Sequence, residues 1–101
     1  MMARFVLTSL AREDLDEIYE YVRKDNPDAA LKVLNNLRNA MRNLAEMPVM
    51  GHLRRDLSDE PFRFWSVYSY LIIYKPESRP LQVVRVLHGA RDVRSILEEG
   101  S

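Results

Sequence analysis

Apolar residues recur at helical spacing in the first half of the chain. A short apolar run, Arg4 to Leu7, precedes this pattern and predicts an edge strand. The spacing then predicts a first helix from about Ser9 to Lys24, and Thr8 or Ser9 can accept hydrogen bonds from free N–H groups in its first turn. The apolar stripe of this helix consists of Ala11, Leu15, Ile18 and Val22.

A second helix follows a short break in the pattern. Asn26 can cap this helix, and Pro27 suits its first turn because an N–H at that position would be unpaired anyway. Apolar residues continue at helical spacing to about Met47, and Pro48 ends the helix. The connection between the helices is only about two or three residues long, so they should form an antiparallel hairpin.

The second half of the chain shows the shorter period of extended structure. Residues 48–61 are polar and irregular, with a turn at Gly51 and a possible short strand at Leu53–Asp56. Three further strands are predicted, at Phe62–Val67, Tyr70–Lys75 and Leu81–His88. The two turns between them are predicted at Tyr68-Ser69 and at residues 76–80.

The order of these elements predicts one α+β domain spanning residues 1–101. It would contain an N-terminal strand, the two-helix antiparallel hairpin, a small and mostly antiparallel sheet, and a short C-terminal helix at Asp92–Glu99. The hairpin should cover one face of the sheet and leave the other face partly open. Leu81–His88 is the most apolar strand and is expected at the centre of the sheet.

Composition narrows the chemistry. The 101 residues include 15 basic and 15 acidic side chains, so attraction of the whole surface to nucleic acid is not expected. The lack of cysteine excludes disulfides and thiol catalysis, and two histidines are too few for a histidine metal site. We therefore expect no metal and no cofactor.

The sequence also bears on localisation. The N-terminal residues lack the apolar core of a secretory signal, and no segment approaches the roughly 20 apolar residues of a membrane span. A soluble, cytoplasmic protein without a membrane partner is expected.

The stretch VVRVLHGARDV, residues 83–93, places a histidine between arginines and suggests a site for cutting a phosphodiester. Regular alternation would put Val83, Arg85 and Leu87 on one face of the strand and His88 on the other. A bulge, or an early end to the strand at Gly89, would be needed to bring Arg85 and His88 together. If Arg63 shared the face of Arg85, the two guanidinium groups could clamp a phosphate.

Charge is segregated along the chain. Among the charged residues at positions 63–94, six are basic and two are acidic. Arg63, Arg85 and Arg91 are candidates for contacting a target or partner. The first helix is acidic instead. Glu13 and Asp14 come early in it, where negative charge complements the helix dipole. Its acidic surface could receive a basic or amphipathic segment of a partner, and the candidate contacts on it are Glu13, Asp16, Glu17 and Glu20.

An ordered set of segments resembles the ParE branch of the RelE/ParE toxin superfamily, the toxins of bacterial toxin–antitoxin modules. The segments are LTSLAREDLDEIYEYV, AALKVLNNLRNAMRNLAEMPVMG, YLIIYK and RVLHGARD, and together they span nearly the whole chain. The resemblance implies a helical hairpin packed on an antiparallel sheet. It also implies a toxin that is held in check by a cognate antitoxin, in a toxin–antitoxin hetero-oligomer.

The two branches of this superfamily imply different activities. ParE-like toxins are associated with poisoning DNA gyrase and blocking replication, without identified catalytic residues. RelE-like toxins cut messenger RNA on the ribosome, and for that alternative only Arg63, Arg85 and His88 are candidates here. The middle loop has no basic cluster beyond Arg54 and Arg55, and no tyrosine follows the last strand. These departures favour an inhibitor of gyrase over an enzyme. A non-toxic interaction module is the third alternative.

Overall fold

Two long helices pack on one face of a five-stranded sheet in a computed structural model that describes residues 4–99. The elements in chain order are β1 (Phe5–Leu7), α1 (Ser9–Asp25), α2 (Pro27–Glu46), a 3-10 turn (Pro48–Met50), β2 (His52–Leu53), β3 (Arg63–Val67), β4 (Tyr70–Lys75), β5 (Leu81–His88) and α3 (Val93–Glu99). The α+β prediction is confirmed. The domain predicted for residues 1–101 extends at both ends beyond the described residues.

Both predicted helix caps form. The Thr8 side chain accepts a hydrogen bond from the Ala11 N–H at 3.1 Å. The Asn26 side chain accepts one from the Ala29 N–H at 3.1 Å, and Pro27 is the first residue of α2. Because Asn26 alone separates α1 from α2, the two helices fold back on each other as a hairpin.

The strand order is β1-β5-β4-β3-β2, so β4 occupies the centre and β5 lies beside it. The prediction of a central β5 was therefore wrong: β1 is too short to pair with more than residues 81–83 of β5, and two strands follow on the other side of β4. Strand β1 runs parallel to β5, and all other neighbours are antiparallel.

Strand β2 is shorter than the predicted Leu53–Asp56 segment. It covers only His52–Leu53, because the chain turns immediately afterwards. The Arg54 carbonyl accepts hydrogen bonds from the N–H groups of Leu57 and Ser58, at 3.0 and 3.1 Å. The C-terminal helix also begins one residue later than predicted, since Asp92 accepts from the Ser95 N–H at 3.3 Å and lies just before the helix.

The sheet separates two apolar cores. The helix-side core lies under α1 and α2 and includes Leu37, Met41, Ile72, Val83 and Val86. The α3-side core lies on the opposite face and consists of Phe64, Leu71, Ile73, Leu87, Val93 and Leu97. The second face is thus better covered than the sequence indicated, because α3 packs its buried residues on the strands.

A register shift in β5 changes which side chains share a face. Val83 pairs with Tyr74 and Arg85 pairs with Ile73, which leaves Val84 as the extra residue of a β-bulge. Val83 and Val86 consequently both enter the helix-side core, although they are three residues apart. The predicted grouping of Val83 with Leu87 was wrong, because it assumed unbroken alternation through this point.

Candidate functional site

The outer edge of β5 is closed by a helix rather than by a strand. Beyond the end of β1, the Thr8 hydroxyl donates to the Val84 carbonyl at 2.7 Å. The Val86 N–H donates to the carboxylate of Asp14 at 3.0 Å. A side chain of α1 therefore takes the place of the missing strand partner, and it satisfies a backbone group that would otherwise be buried without a hydrogen bond.

The same carboxylate holds Arg85. Nε and Nη2 of Arg85 each donate to one oxygen of Asp14 at 2.8 Å, in a bidentate pair that is largely buried. Hydrogen bonding to Asp14 raises the pKa of Arg85. We call Asp14, Arg85 and the Val86 N–H the edge network. Its geometry leaves the guanidinium little freedom to bind a substrate phosphate.

Asp14 had been expected to complement the dipole of α1, and this was wrong. The residue is only 4% exposed, in the second turn of the helix, and its partners are on β5. One signal in the sequence could have revealed its role. Asp14 falls between Ala11 and Leu15 on the apolar stripe, and a carboxylate on a core-facing stripe requires a buried partner.

Arg63 belongs to a separate network at the other side of the sheet. Its guanidinium donates to the Gly51 carbonyl at 2.7 Å. The buried hydroxyl of Tyr74 donates to the Pro48 carbonyl at 2.6 Å and accepts from the Gly51 N–H at 2.9 Å. We call these four residues the corner network. Arg63 and Arg85 lie on strands that β4 separates, and each guanidinium has its own partner within the protein, so the structure does not bring the two together as a clamp.

Three predicted site residues, Glu17, His88 and Arg91, line one open groove of about 570 Å³ between the helical hairpin and the β3–β4 turn. Tyrosines form much of its wall, and we call it the tyrosine groove. Its aromatic residues are Tyr21, Tyr68 and Tyr70, and its aliphatic residues are Ile18, Val22, Val33 and Val86. Tyr21 and Tyr68 are 72% and 61% exposed, which is unusual for such large side chains.

Tyr68 occupies the left-handed region of backbone conformation, with φ at 55°. This region is strained for a bulky residue, and hairpin turns usually place glycine or asparagine there. The Tyr68 hydroxyl accepts a hydrogen bond from the side-chain amide of Asn36 on α2. The sequence predicted the turn but not this conformation, because Tyr68 is not a residue type associated with positive φ.

The hydrogen bonds of His88 restrict its chemistry. Its Nδ1 accepts from the Ala90 N–H at 3.0 Å, which assigns the proton of the neutral ring to Nε2. The ring also meets Tyr70 edge-on, with centroids 5.5 Å apart. With Nδ1 occupied by this hydrogen bond, Nε2 is the ring nitrogen that can face a ligand.

The acidic candidates on α1 are all exposed, but they do not form one site. Glu17 lines the tyrosine groove, whereas Asp16 lines a different groove on the other side of the helix. Glu20 pairs with Arg23 at 2.8 Å, and this hydrogen bond lowers the pKa of Glu20. Glu13 is exposed on the solvent side of α1.

The groove lined by Asp16 lies between β1 and the helical hairpin, and we call it the β1 groove. Its volume is about 720 Å³. Apolar side chains dominate its wall, and two of them, Val6 and Leu31, are 45% and 52% exposed. Its charged residues are Arg12, Asp16 and Arg38. The β1 groove and the tyrosine groove share no lining residue, because they use opposite sides of α1.

Within residues 4–99, no group of three or more His, Asp or Glu side chains is arranged to hold a metal ion. Over the same residues, none of the helices combines the length and the apolar composition needed to cross a membrane.

Comparison with known proteins gives a consistent result. Residues 5–93 match a family model described as ParE toxin of type II toxin-antitoxin system, parDE. Y4kP of Sinorhizobium fredii, named as a proposed toxin, is 34% identical over 94 residues, covering 93% of this chain and 94% of the relative. Toxin RelE2 of Caulobacter vibrioides is 33% identical over 90 residues, covering 89% of this chain and 99% of the relative.

A solved structure also matches the fold. It is described as a chromosomal ParDE TA system from P. aeruginosa, and the superposition has a TM-score of 0.70 with 22% sequence identity. The match covers 86% of this chain and 96% of that chain. At this level of identity the similarity extends to the architecture alone.

Proposed function

This chain belongs to the ParE toxin family of type II toxin–antitoxin systems, and we propose that it inhibits DNA gyrase by protein–protein contact until a cognate antitoxin neutralises it. Family membership over residues 5–93 supports the toxin role. The choice of gyrase rests on the resemblance to the ParE branch.

The single observation that most favours an inhibitor acting by protein contact over a nuclease is the bidentate pair between Asp14 and Arg85. A nuclease needs a cation free to stabilise the charge that develops on the phosphate. Here the guanidinium of Arg85 is neutralised by a buried carboxylate, and Arg63 donates to a backbone carbonyl. Nδ1 of His88 accepts from the Ala90 N–H, so each of the three residues weighed for phosphodiester cleavage already has a partner within the protein, which supports an inhibitor over a nuclease.

The β1 groove is the surface that we propose for the antitoxin. It combines an edge strand, which can accept a further strand, with an apolar wall formed by the helical hairpin. An extended or helical antitoxin tail with apolar anchors would cover Val6 and Leu31, whose exposure is otherwise unfavourable. The charges of Arg12, Asp16 and Arg38 would set the register of that tail.

Controlled expression tests the toxin function. We expect growth arrest with induction of the DNA-damage response, and rescue when the neighbouring antitoxin gene is co-expressed. Purified protein should inhibit supercoiling by gyrase. Arrest in which translation stops first, or normal growth, would contradict the proposal.

The antitoxin surface has its own test. Leu31→Glu should weaken antitoxin binding by at least about tenfold, because it places a charge in the apolar wall of the β1 groove.

A second candidate is a ribosome-dependent mRNA endonuclease. The relative named Toxin RelE2 and the placement of His88 and Arg91 in one groove favour it. Primer extension on translated messages would then show new 5′ ends that disappear in His88→Ala. Messages that stay intact during growth arrest would exclude this activity. If expression leaves growth unaffected and translated messages stay intact, the protein would instead be a non-toxic interaction module.

A further inference from the structure

We propose that the tyrosine groove is the surface that engages the target, and that its ligand is an apolar peptide segment carrying a carboxylate. This inference rests on the proposed function as a toxin acting by protein contact. It adds the place of contact and the chemistry of the segment that binds there. The antitoxin surface is the β1 groove, on the opposite side of α1.

The composition of the groove is that of a binding hot spot. Tyrosine and arginine are the residues that most often dominate protein–protein interfaces, because they present large rigid surfaces together with hydrogen-bonding groups. Tyr21, Tyr68 and Arg91 are all exposed here. Behind them, aliphatic side chains of α1, α2 and β5 provide an apolar floor, which favours a partner with an apolar anchor.

The groove is lined by two carboxylates, Asp14 and Glu17, of which Asp14 is already paired with Arg85. Three other polar groups of the groove are hydrogen-bond donors. His88 presents its Nε2–H, because Nδ1 is occupied by the Ala90 N–H. The Tyr68 oxygen accepts from Asn36, so the proton of that hydroxyl remains available to a ligand. Among the described residues, the guanidinium of Arg91 has no hydrogen bond or ion pair to another side chain. Donors of this kind complement a carboxylate.

A nucleic acid fits less well than a peptide. Asp14 and Glu17 both line this groove on α1, so a phosphate backbone would meet negative charge along one wall. The chain carries no net charge that could attract a polyanion over distance. A peptide segment with a single carboxylate brings less negative charge to this wall than a phosphate backbone does, and Arg91 can pair with that one group.

The strained turn supports a role in binding. Tyr68 adopts a positive φ that is strained for a bulky residue, and such outliers are concentrated at functional sites. The hydrogen bond from Asn36 ties the Tyr68 hydroxyl to α2, which restricts the side chain before a ligand binds. Ordering in advance reduces the entropy lost on binding.

The test uses Tyr21→Ala and Arg91→Ala, with Val49→Ala as the matched control. Val49 is 70% exposed and lines neither groove, so its variant should behave like the wild type. Each variant of the full chain is assayed for inhibition of gyrase supercoiling, for growth arrest and for antitoxin affinity by calorimetry. We expect each groove variant to lose at least about tenfold in inhibition, with antitoxin affinity unchanged within about twofold and an unchanged Tm.

Three results would overturn the inference or its choice of ligand. Undiminished inhibition by both groove variants would show that the target binds elsewhere. Loss of antitoxin affinity with intact inhibition would assign the groove to the antitoxin. If the wild type failed to inhibit gyrase, the proposed target would be wrong, and growth arrest by the same variants would still decide whether the groove carries toxicity. Binding of a labelled oligonucleotide that Arg91→Ala abolishes would replace the peptide ligand with nucleic acid.

Discussion

The edge network and the corner network both tie helices to the sheet, but one is ionic and the other is largely neutral. At the edge, a carboxylate of α1 binds a guanidinium and an N–H of β5. At the corner, the hydroxyl of Tyr74 bridges two backbone groups after α2, and Arg63 binds the Gly51 carbonyl. The two arginines look alike in the sequence, yet only Arg85 faces a buried opposite charge.

This difference teaches that the cost of breaking a network depends on what is left behind. Removing Asp14 would leave a guanidinium in a largely buried place without its counter-charge. Removing the Tyr74 hydroxyl would leave only neutral backbone groups without partners. Gly51 makes the corner possible, because a Cβ at that position would overlap the Tyr74 hydroxyl. The predictions below separate the two networks by the size of the loss.

The largest effect is expected for Asp14→Ala. The free energy of unfolding should fall by about 3–5 kcal/mol, because an uncompensated charge is then buried. Urea denaturation followed by circular dichroism measures this loss. The double variant Asp14→Leu with Arg85→Met should recover much of it, since neither charge remains. A loss below about 1 kcal/mol for Asp14→Ala would mean that the pair behaves like an exposed one.

A smaller loss is expected for Tyr74→Phe. The ring is fully buried and remains in place, while its hydroxyl no longer serves the Gly51 N–H and the Pro48 carbonyl. We expect the free energy of unfolding to fall by about 1–3 kcal/mol. Hydrogen exchange at the Gly51 amide should also accelerate. Protection of that amide equal to the wild type would show that another group replaces the hydroxyl.

The corner network should also weaken at alkaline pH. Burial raises the pKa of Tyr74 above its ordinary value of 10.0. In the unfolded chain the pKa of Tyr74 is the ordinary 10.0, and in the folded chain it is higher. The contribution of the neutral hydroxyl to the free energy of unfolding is therefore fully present below pH 10 and is lost as the pH rises through the pKa of the folded state. Above pH 10, the free energy of unfolding should therefore fall less steeply with pH for Tyr74→Phe than for the wild type. Parallel curves would contradict this assignment.

The smallest effect is expected for Asp56→Ala, which breaks an exposed pair with Arg54. Its 2.8 Å distance equals that of the edge pair, so it serves as a control for geometry without burial. The free energy of unfolding should change far less than in Asp14→Ala, and the change should shrink in high salt. A loss similar to that of Asp14→Ala would refute the argument from burial.

Local features were predictable from the sequence, and long-range ones were not. Thr8 and Asn26 were identified as caps because capping depends on residues within one turn. The bond between Asp14 and Arg85 joins positions 71 residues apart, and no periodic pattern encodes such a partner. The β5 bulge was considered but could not be placed, since it depends on the register with β4. These non-local contacts decide which arginines remain free for binding.

The closure of β5 by α1 also constrains the order in which the protein can assemble during synthesis. Strand β1 and helix α1 are synthesised before β5, which carries their hydrogen-bonding partners. Until translation has passed His88 at the end of β5, Asp14 lacks its ion-pair partner Arg85, and β1 lacks the strand with which it pairs. We expect nascent chains that stop before β5 to stay unfolded. The fold of the toxin family can then form only in chains translated through that strand.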